Sequence, residues 1–275
     1  MHVQPPLEST ESPDGTPRWP TWYSITAFGA ALLTTLIAVG VLAGATGTGA
    51  DEESAAFTVA ATLVEDAIFV GTALLFASGI APPRPADFGL RRAAFWSAAG
   101  WAALGMLCFY AFTAVYSALV QNQPDQDVVQ KLGANEGTLG LIVAGMMVIV
   151  VAPSAEEFFF RGFFYKGLRT GLPVAAAALT NGALFGLIHW DPGQGLHGLL
   201  ILPPLAVLGA VFCLVYERTG TLYPVIGLHS LNNALAYGVQ AHAWEVSAVL
   251  GPLMLVAVAL VPRLAHPRAP AAAPR

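Results

Sequence analysis

Two adjacent carboxylates and a guanidinium stand deep inside one long apolar run, Val148-Ile-Val-Val-Ala-Pro-Ser-Ala-Glu156-Glu157-Phe-Phe-Phe-Arg161-Gly-Phe-Phe-Tyr-Lys. On a helix Glu157 and Arg161 are i and i+4, the order and spacing that let a carboxylate meet a cation. Glu156 is turned from them by about 100°. One carboxylate can therefore be neutralised structurally while the other stays free. A second run holds Phe185-Gly-Leu-Ile-His189, an aromatic one turn before an imidazole on the same face. A third holds His229-Ser-Leu-Asn-Asn233, an imidazole and a carboxamide on one face, with Asn232 pointing elsewhere. Carboxylate and imidazole do acid–base work, and N–H donors steady a developing oxyanion. Ionisable groups inside apolar segments are costly and default to functional candidates. A shared pocket would satisfy all three sets in hydrocarbon; interhelical hydrogen bonds acting as packing glue would too.

The elements that must position these groups are membrane helices. Of the 275 residues 56% are hydrophobic and 11% charged, against about 25% charged in a soluble domain. Apolar runs near 23–46, 55–80, 93–120, 138–168, 172–190, 195–217, 222–240 and 245–262 approach or exceed the roughly 20 residues that cross a bilayer. The expected fold is all-α, a polytopic transmembrane bundle of about eight helices. Alternating the connections puts Arg18, Arg84, Arg91, Arg92, Lys166, Arg169, Arg218, Arg263, Arg268 and Arg275 on one side and Lys131 on the other. By the positive-inside rule both termini are cytoplasmic. A single transmembrane domain over 21–264 is expected between disordered tails at 1–20 and 265–275, the first without a cleavable signal pattern. No nucleic-acid patch is visible in the net charge of −5. Cys108 and Cys213 read as buried thiols rather than a disulfide.

Depth creates a tension. At about 1.5 Å per residue, Glu156 and His229 lie about 18 and 10 Å from the cytoplasmic ends of their runs, but His189 lies about 26 Å away. Helix tilt, or a 190–195 connection dipping into the bundle, would reconcile them. Glu65 and Asp66 in the second run read as a protonated or hydrogen-bonded structural pair ahead of an accessory substrate or proton site, and Asp191 and His197 as ordinary loop residues. Trp19, Trp22, Trp190 and Trp244 read as interfacial anchors. Pro203 and Pro204 are expected to kink the sixth helix.

The ordered set E-E-x-x-x-R at Glu156, Glu157 and Arg161, F-x-x-x-H at Phe185 and His189, and H-x-x-x-N at His229 and Asn233 resembles the CAAX-protease and bacteriocin-processing (CPBP, or Abi) family of intramembrane endopeptidases. That family includes the type II CAAX prenyl endopeptidases. The motifs cover about 80 residues, and the order is more specific than any one of them. The resemblance implies that Glu156 and His189 activate a water for attack on a peptide carbonyl and that His229 and Asn233 stabilise the oxyanion. Glu157 and Arg161 are then a structural pair and Phe185 a packing residue. Glu156, His189 and His229 could instead hold Zn²⁺ with a position open for water. The substrate implied is a membrane-associated or lipidated protein. H-E-x-x-H and G-x-S-x-G are absent. Two readings of other classes stand beside this one: a non-catalytic scaffold such as a bacteriocin self-immunity protein, and a proton-coupled transporter that would also need Glu65 and Asp66.

Overall fold

The computed structural model describes residues 19–48, 54–124 and 126–265. Most of both expected tails, with Arg18, Arg268, Arg275 and the acidic 51–53 connection, lies outside the described residues. All described elements are helical. The eight expected helices are α1 (Thr21–Thr46), α2 (Ala55–Ser78), α3 (Phe95–Leu119), α4 (Gly137–Gly171), α5 (Val174–Leu187), α6 (Leu202–Thr219), α7 (Tyr223–Gln240) and α8 (Trp244–Ala265). A single turn, Val128–Lys131, precedes α4, and 3₁₀ stretches span Pro85–Phe88 and Pro192–Ile201.

Among the described residues six helical stretches are long and apolar enough to cross a membrane: α1, α2, α3, α4, Gly193–Thr219 and α8. The chain is a multi-pass membrane protein. Helix α5, with 14 residues, rises only about 21 Å. Helix α7 has the length but carries His229, Ser230, Asn232 and Asn233. Within their most apolar windows 33% of α4 and 39% of Gly193–Thr219 is buried, against 17% for α1, α2, α3 and α8. Thus α4 and α6 are central, and side chains such as Leu36, Trp96 and Leu107 face outward, as a lipid-facing surface requires.

Helix α4 is not a regular α-helix. It widens into π-helical turns at Met147–Val151 and Phe158–Tyr165. Pro153 has no N–H to return to the carbonyl of Ile149, so regular i→i+4 bonding fails where the first π-turn lies. The second turn buries Phe159, Phe160, Phe163 and Phe164 completely. Phe159, Phe160 and Phe164 pack on Phe28 of α1, and Phe159 and Phe160 on Phe69 of α2. Trp19 joins this core rather than an interface: it is 1% exposed, stacks on Phe163 and donates Nε1–H to the Phe163 carbonyl at 2.9 Å. The expected anchor there is corrected, since a free α4 carbonyl and an aromatic face offer the indole more than an interface does.

The sixth run is also corrected. Its α-helix begins at Leu202, so Pro203 and Pro204 occupy the first turn, where a missing N–H costs nothing. They do not kink the helix. The irregularity lies upstream, in a 3₁₀ stretch broken at Gly195 (φ 57°, ψ −145°). Cys108 and Cys213 are both free thiols, Cys213 buried and Cys108 exposed, the latter against expectation.

The two ends of the bundle differ in charge. At one end Arg91 Nε donates to Gly220 O at 2.6 Å, Lys166 to Asp87 O, and Arg169 pairs with Glu217 at 3.0 Å. Arg263 of α8 lies over Phe95 at the start of α3. At the other end Lys131 pairs with Asp127 at 3.2 Å and Asp191 at 3.1 Å, clasping the pre-α4 turn to the loop after α5. The Gly193 N–H and Lys131 hold the Asp191 carboxyl below the usual carboxylate range, so Asp191 is not an isolated loop residue.

Helices α5 and α6 meet through glycine. A Cβ at Gly182 would collide with Ala206 O, and one at Gly209 would stand 2.9 Å from Gly182 Cα and 3.1 Å from Phe185 Cβ. Close backbone approach through small residues is how membrane helices pack. Gly182→Ala is expected to destabilise the folded protein by about 1–3 kcal/mol, as overpacking does, read as a lowered midpoint of thermal unfolding in detergent.

Candidate functional site

Glu157 and Arg161 are both fully buried, and Arg161 Nη1 donates to Glu157 Oε1 at 2.8 Å. Arg161 Nη2 donates to Gly209 O at 2.9 Å. The guanidinium carbon lies 4.5 Å from the Phe185 ring centroid, 5.1 Å from Phe212 and 5.7 Å from Phe160. A desolvated cation over aromatic faces gains about 2 kcal/mol. This cage makes the charge tolerable in hydrocarbon, and it gives Phe185 a second task besides packing.

Glu157 does more than neutralise Arg161. The same Oε1 accepts from His229 Nδ1 at 2.8 Å, so the carboxylate ties α4 to α7. His229 Nε2 is left facing Glu156, 3.9 Å from Oε2. Glu156 Oε2 has no hydrogen-bond partner although it is buried. The rotation between the two glutamates separates a pinned carboxylate from a free one.

His189 lies on the turn just beyond α5. Its Nδ1 is 2.8 Å from Phe185 O, and because a carbonyl oxygen can only accept, Nδ1 carries the proton and Nε2 is the free base of the neutral ring. Asn233 Nδ2 donates to Val148 O at 2.9 Å, a carbonyl within the first π-turn of α4. One amide proton of Asn233 thus stays available for a ligand.

Glu156, His189, His229 and Asn233 all line one cavity of about 250 Å³. The space suffices for several waters at roughly 30 Å³ each, or for a peptide bond with one water beside it. The tension in depth disappears because α5 ends at Leu187 and the following loop, not a longer helix, carries His189. Asn232 departs from expectation: it lines the same cavity, donates to Asn233 Oδ1 at 3.3 Å and accepts from Tyr110 OH at 3.3 Å. A rotation of 100° still leaves a side chain on a broad pocket wall.

Other participants were not singled out from the sequence as part of this site. Glu65 and Asp66 of α2, read from the sequence first as a structural pair and second as an accessory site, line the same cavity as Glu156, and Asp66 Oδ2 is buried without a partner. Gly209 and Phe212 of α6 complete the arginine cage. The π-turn carbonyl of Phe160 accepts from buried Asn181 at 2.8 Å, and Asn181 Oδ1 accepts from Cys213 at 3.2 Å. A polar residue within the α5 run was the available signal for Asn181. The glycine gave none.

The alternative Zn²⁺ set of Glu156, His189 and His229 does not fit this arrangement. Among the described residues no three His, Cys, Asp or Glu side chains are grouped to hold a metal ion.

The buried pair sets a stability expectation. Arg161→Met strands Glu157 and should cost about 3–5 kcal/mol, as breaking a buried ion pair does. Arg161→Met combined with Glu157→Leu should recover part of that loss. Thermal unfolding of the purified variants in detergent measures both.

Residues 138–235 match the family model described as Type II CAAX prenyl endopeptidase Rce1-like. The chain is also 28% identical over 113 residues to the uncharacterized protein YyaK of Bacillus subtilis (strain 168). That alignment covers 40% of this chain and 37% of YyaK, so it spans little more than a third of its relative. No solved structure matches the chain significantly. The matched segment runs from the start of α4 into α7 and contains every motif residue of the cavity, which makes it an Rce1-like segment, consistent with the CPBP family that those residues resemble.

Proposed function

We propose that the protein is an intramembrane endopeptidase that hydrolyses a peptide bond of a membrane-associated protein with an activated water. The convergence of Glu156, His189, His229 and Asn233, from three separate helices or their ends, on one 250 Å³ cavity carries this reading. The Rce1-like match over the same segment supports it. The reading places the protein in the cytoplasmic membrane with both termini cytoplasmic.

In this mechanism Glu156 takes a proton from a water held between it and His189 Nε2, and the hydroxide adds to the scissile carbonyl. Low-dielectric surroundings make such a carboxylate a more effective base than it is in water. The tetrahedral oxyanion accepts the second Nδ2–H of Asn233 and, when the imidazole is doubly protonated, Nε2–H of His229. Glu157 fixes the His229 ring through Nδ1, and Arg161 fixes Glu157, so both act by positioning. Collapse of the intermediate breaks the C–N bond, with the proton on Glu156 passing to the leaving amine. No covalent acyl intermediate forms.

Cleavage of a panel of membrane-anchored fluorogenic peptides by the purified protein tests the reading. Glu156→Gln should lower the rate by about 10²–10⁴ with unchanged thermal stability, and Asn233→Ala by about 10²–10³ with a loss of about 1–3 kcal/mol of stability, because the Val148 carbonyl loses its donor. Wild-type rates matched by Glu156→Gln would refute the assignment. Dependence on Asp66 for proton flux, with no cleavage, would favour the transporter reading instead.

A further inference from the structure

A second cleft, of about 630 Å³, adjoins the catalytic cavity. The two share Gln126, Leu205 and Gln240 as a common wall, so only these side chains stand between them. The cleft lies at the end of the bundle where Lys131 is the lone cation among the described residues. Its rim carries Asp127 and His242, both exposed. Thr113 of α3, Pro204 of α6 and Val239 of α7 line its walls.

Arg84, Arg91, Arg92, Lys166, Arg169, Arg218 and Arg263 occupy the opposite end, where the ends of α2, α4, α6 and α8 meet the starts of α3 and α7. Seven described cations against one is the asymmetry that orients membrane proteins with the cationic end in the cytoplasm. Anions deepen the contrast, because Asp127, Glu136, Asp191 and Glu245 belong to the Lys131 end.

The junction between cleft and cavity is polar in a specific way. Gln130 Nε2 donates to Gln240 O at 3.1 Å, while Gln130 Oε1 and Gln240 Oε1 are buried acceptors without partners. Unmet acceptors along a passage suit the backbone N–H groups of an extended chain, which cross it at regular spacing.

We propose that the catalytic cavity is reached from the non-cytoplasmic face, through this cleft, by an extended peptide segment whose backbone N–H groups bond Gln130 and Gln240. The proposal rests on the endopeptidase reading for its occupant and on charge and geometry for its direction. It places the scissile segment of the substrate outside the cytoplasm, at or beyond the outer leaflet.

Access and cleavage are tested separately on the full-length chain in intact cells with Cys108→Ser as background. Gln126→Cys, His242→Cys and Thr62→Cys should react with a membrane-impermeant maleimide before permeabilisation, and Arg218→Cys only after it. The reverse pattern overturns the proposal. His242→Cys is at the exposed rim and keeps the test valid if a cavity variant fails to fold. In parallel, a single-span reporter carries the same scissile segment on its outer or its inner side. Cleavage of the outer reporter alone, lost in Glu156→Gln, is the expected result, and cleavage of the inner reporter overturns the proposal. Outer labelling with neither reporter cut would sink the endopeptidase reading, and the peptide occupant with it, while the direction of access stood.

Discussion

A fully buried arginine has to be neutralised before anything else in this bundle can be arranged. Arg161 accomplishes this with one carboxylate, one glycine carbonyl and three aromatic faces, drawn from α4, α5 and α6. Each partner constrains its own element. Gly209 must lack a side chain so that α5 can lie against it. Phe185 must face inward, which puts the turn carrying His189 at the cavity. Glu157 must point at the guanidinium, which leaves the same oxygen to hold His229.

The π-turns of α4 are the backbone counterpart of that constraint. They interrupt regular hydrogen bonding on either side of the glutamate pair, and the carbonyls of Val148 and Phe160 accept Asn233 and Asn181 instead of remaining unmet in hydrocarbon. The same segment thus supplies the free carboxylate, the pinned carboxylate and the fixed point for the carboxamide. Widened helical turns recur at functional sites because they redirect side chains without ending a helix.

The bundle is polarised along its axis in charge. Ion pairs and carbonyl contacts fasten the cationic end, where Arg91, Arg92 and Arg218 border a cleft of about 410 Å³, whereas a clasp through Lys131 and amide contacts border the larger cleft at the other. Glu65 and Asp66 bring a second pair of carboxylates into the cavity wall. A cavity with so many acidic groups favours ligands that bring hydrogen-bond donors or positive charge.

The eight helices, the membrane setting and the three motif pairs were legible in the sequence, because apolar run length and i, i+4 spacing are local properties that a helix obeys wherever it sits. The pairing of Glu157 with Arg161 belongs to the same class. Tertiary structure alone decided that Glu157 also holds His229, that Asn232 shares the cavity wall, that Trp19 is core, and that Gly209 serves the guanidinium. These depend on which helix lies beside which, and on where α5 stops and the loop to His189 begins. Spacing along one chain carries the rotation of a residue about its own helix axis, but not the distance to the next axis. In a bilayer, where apolar faces gain little by choosing one apolar neighbour over another, close backbone approach and buried polar contacts settle that distance.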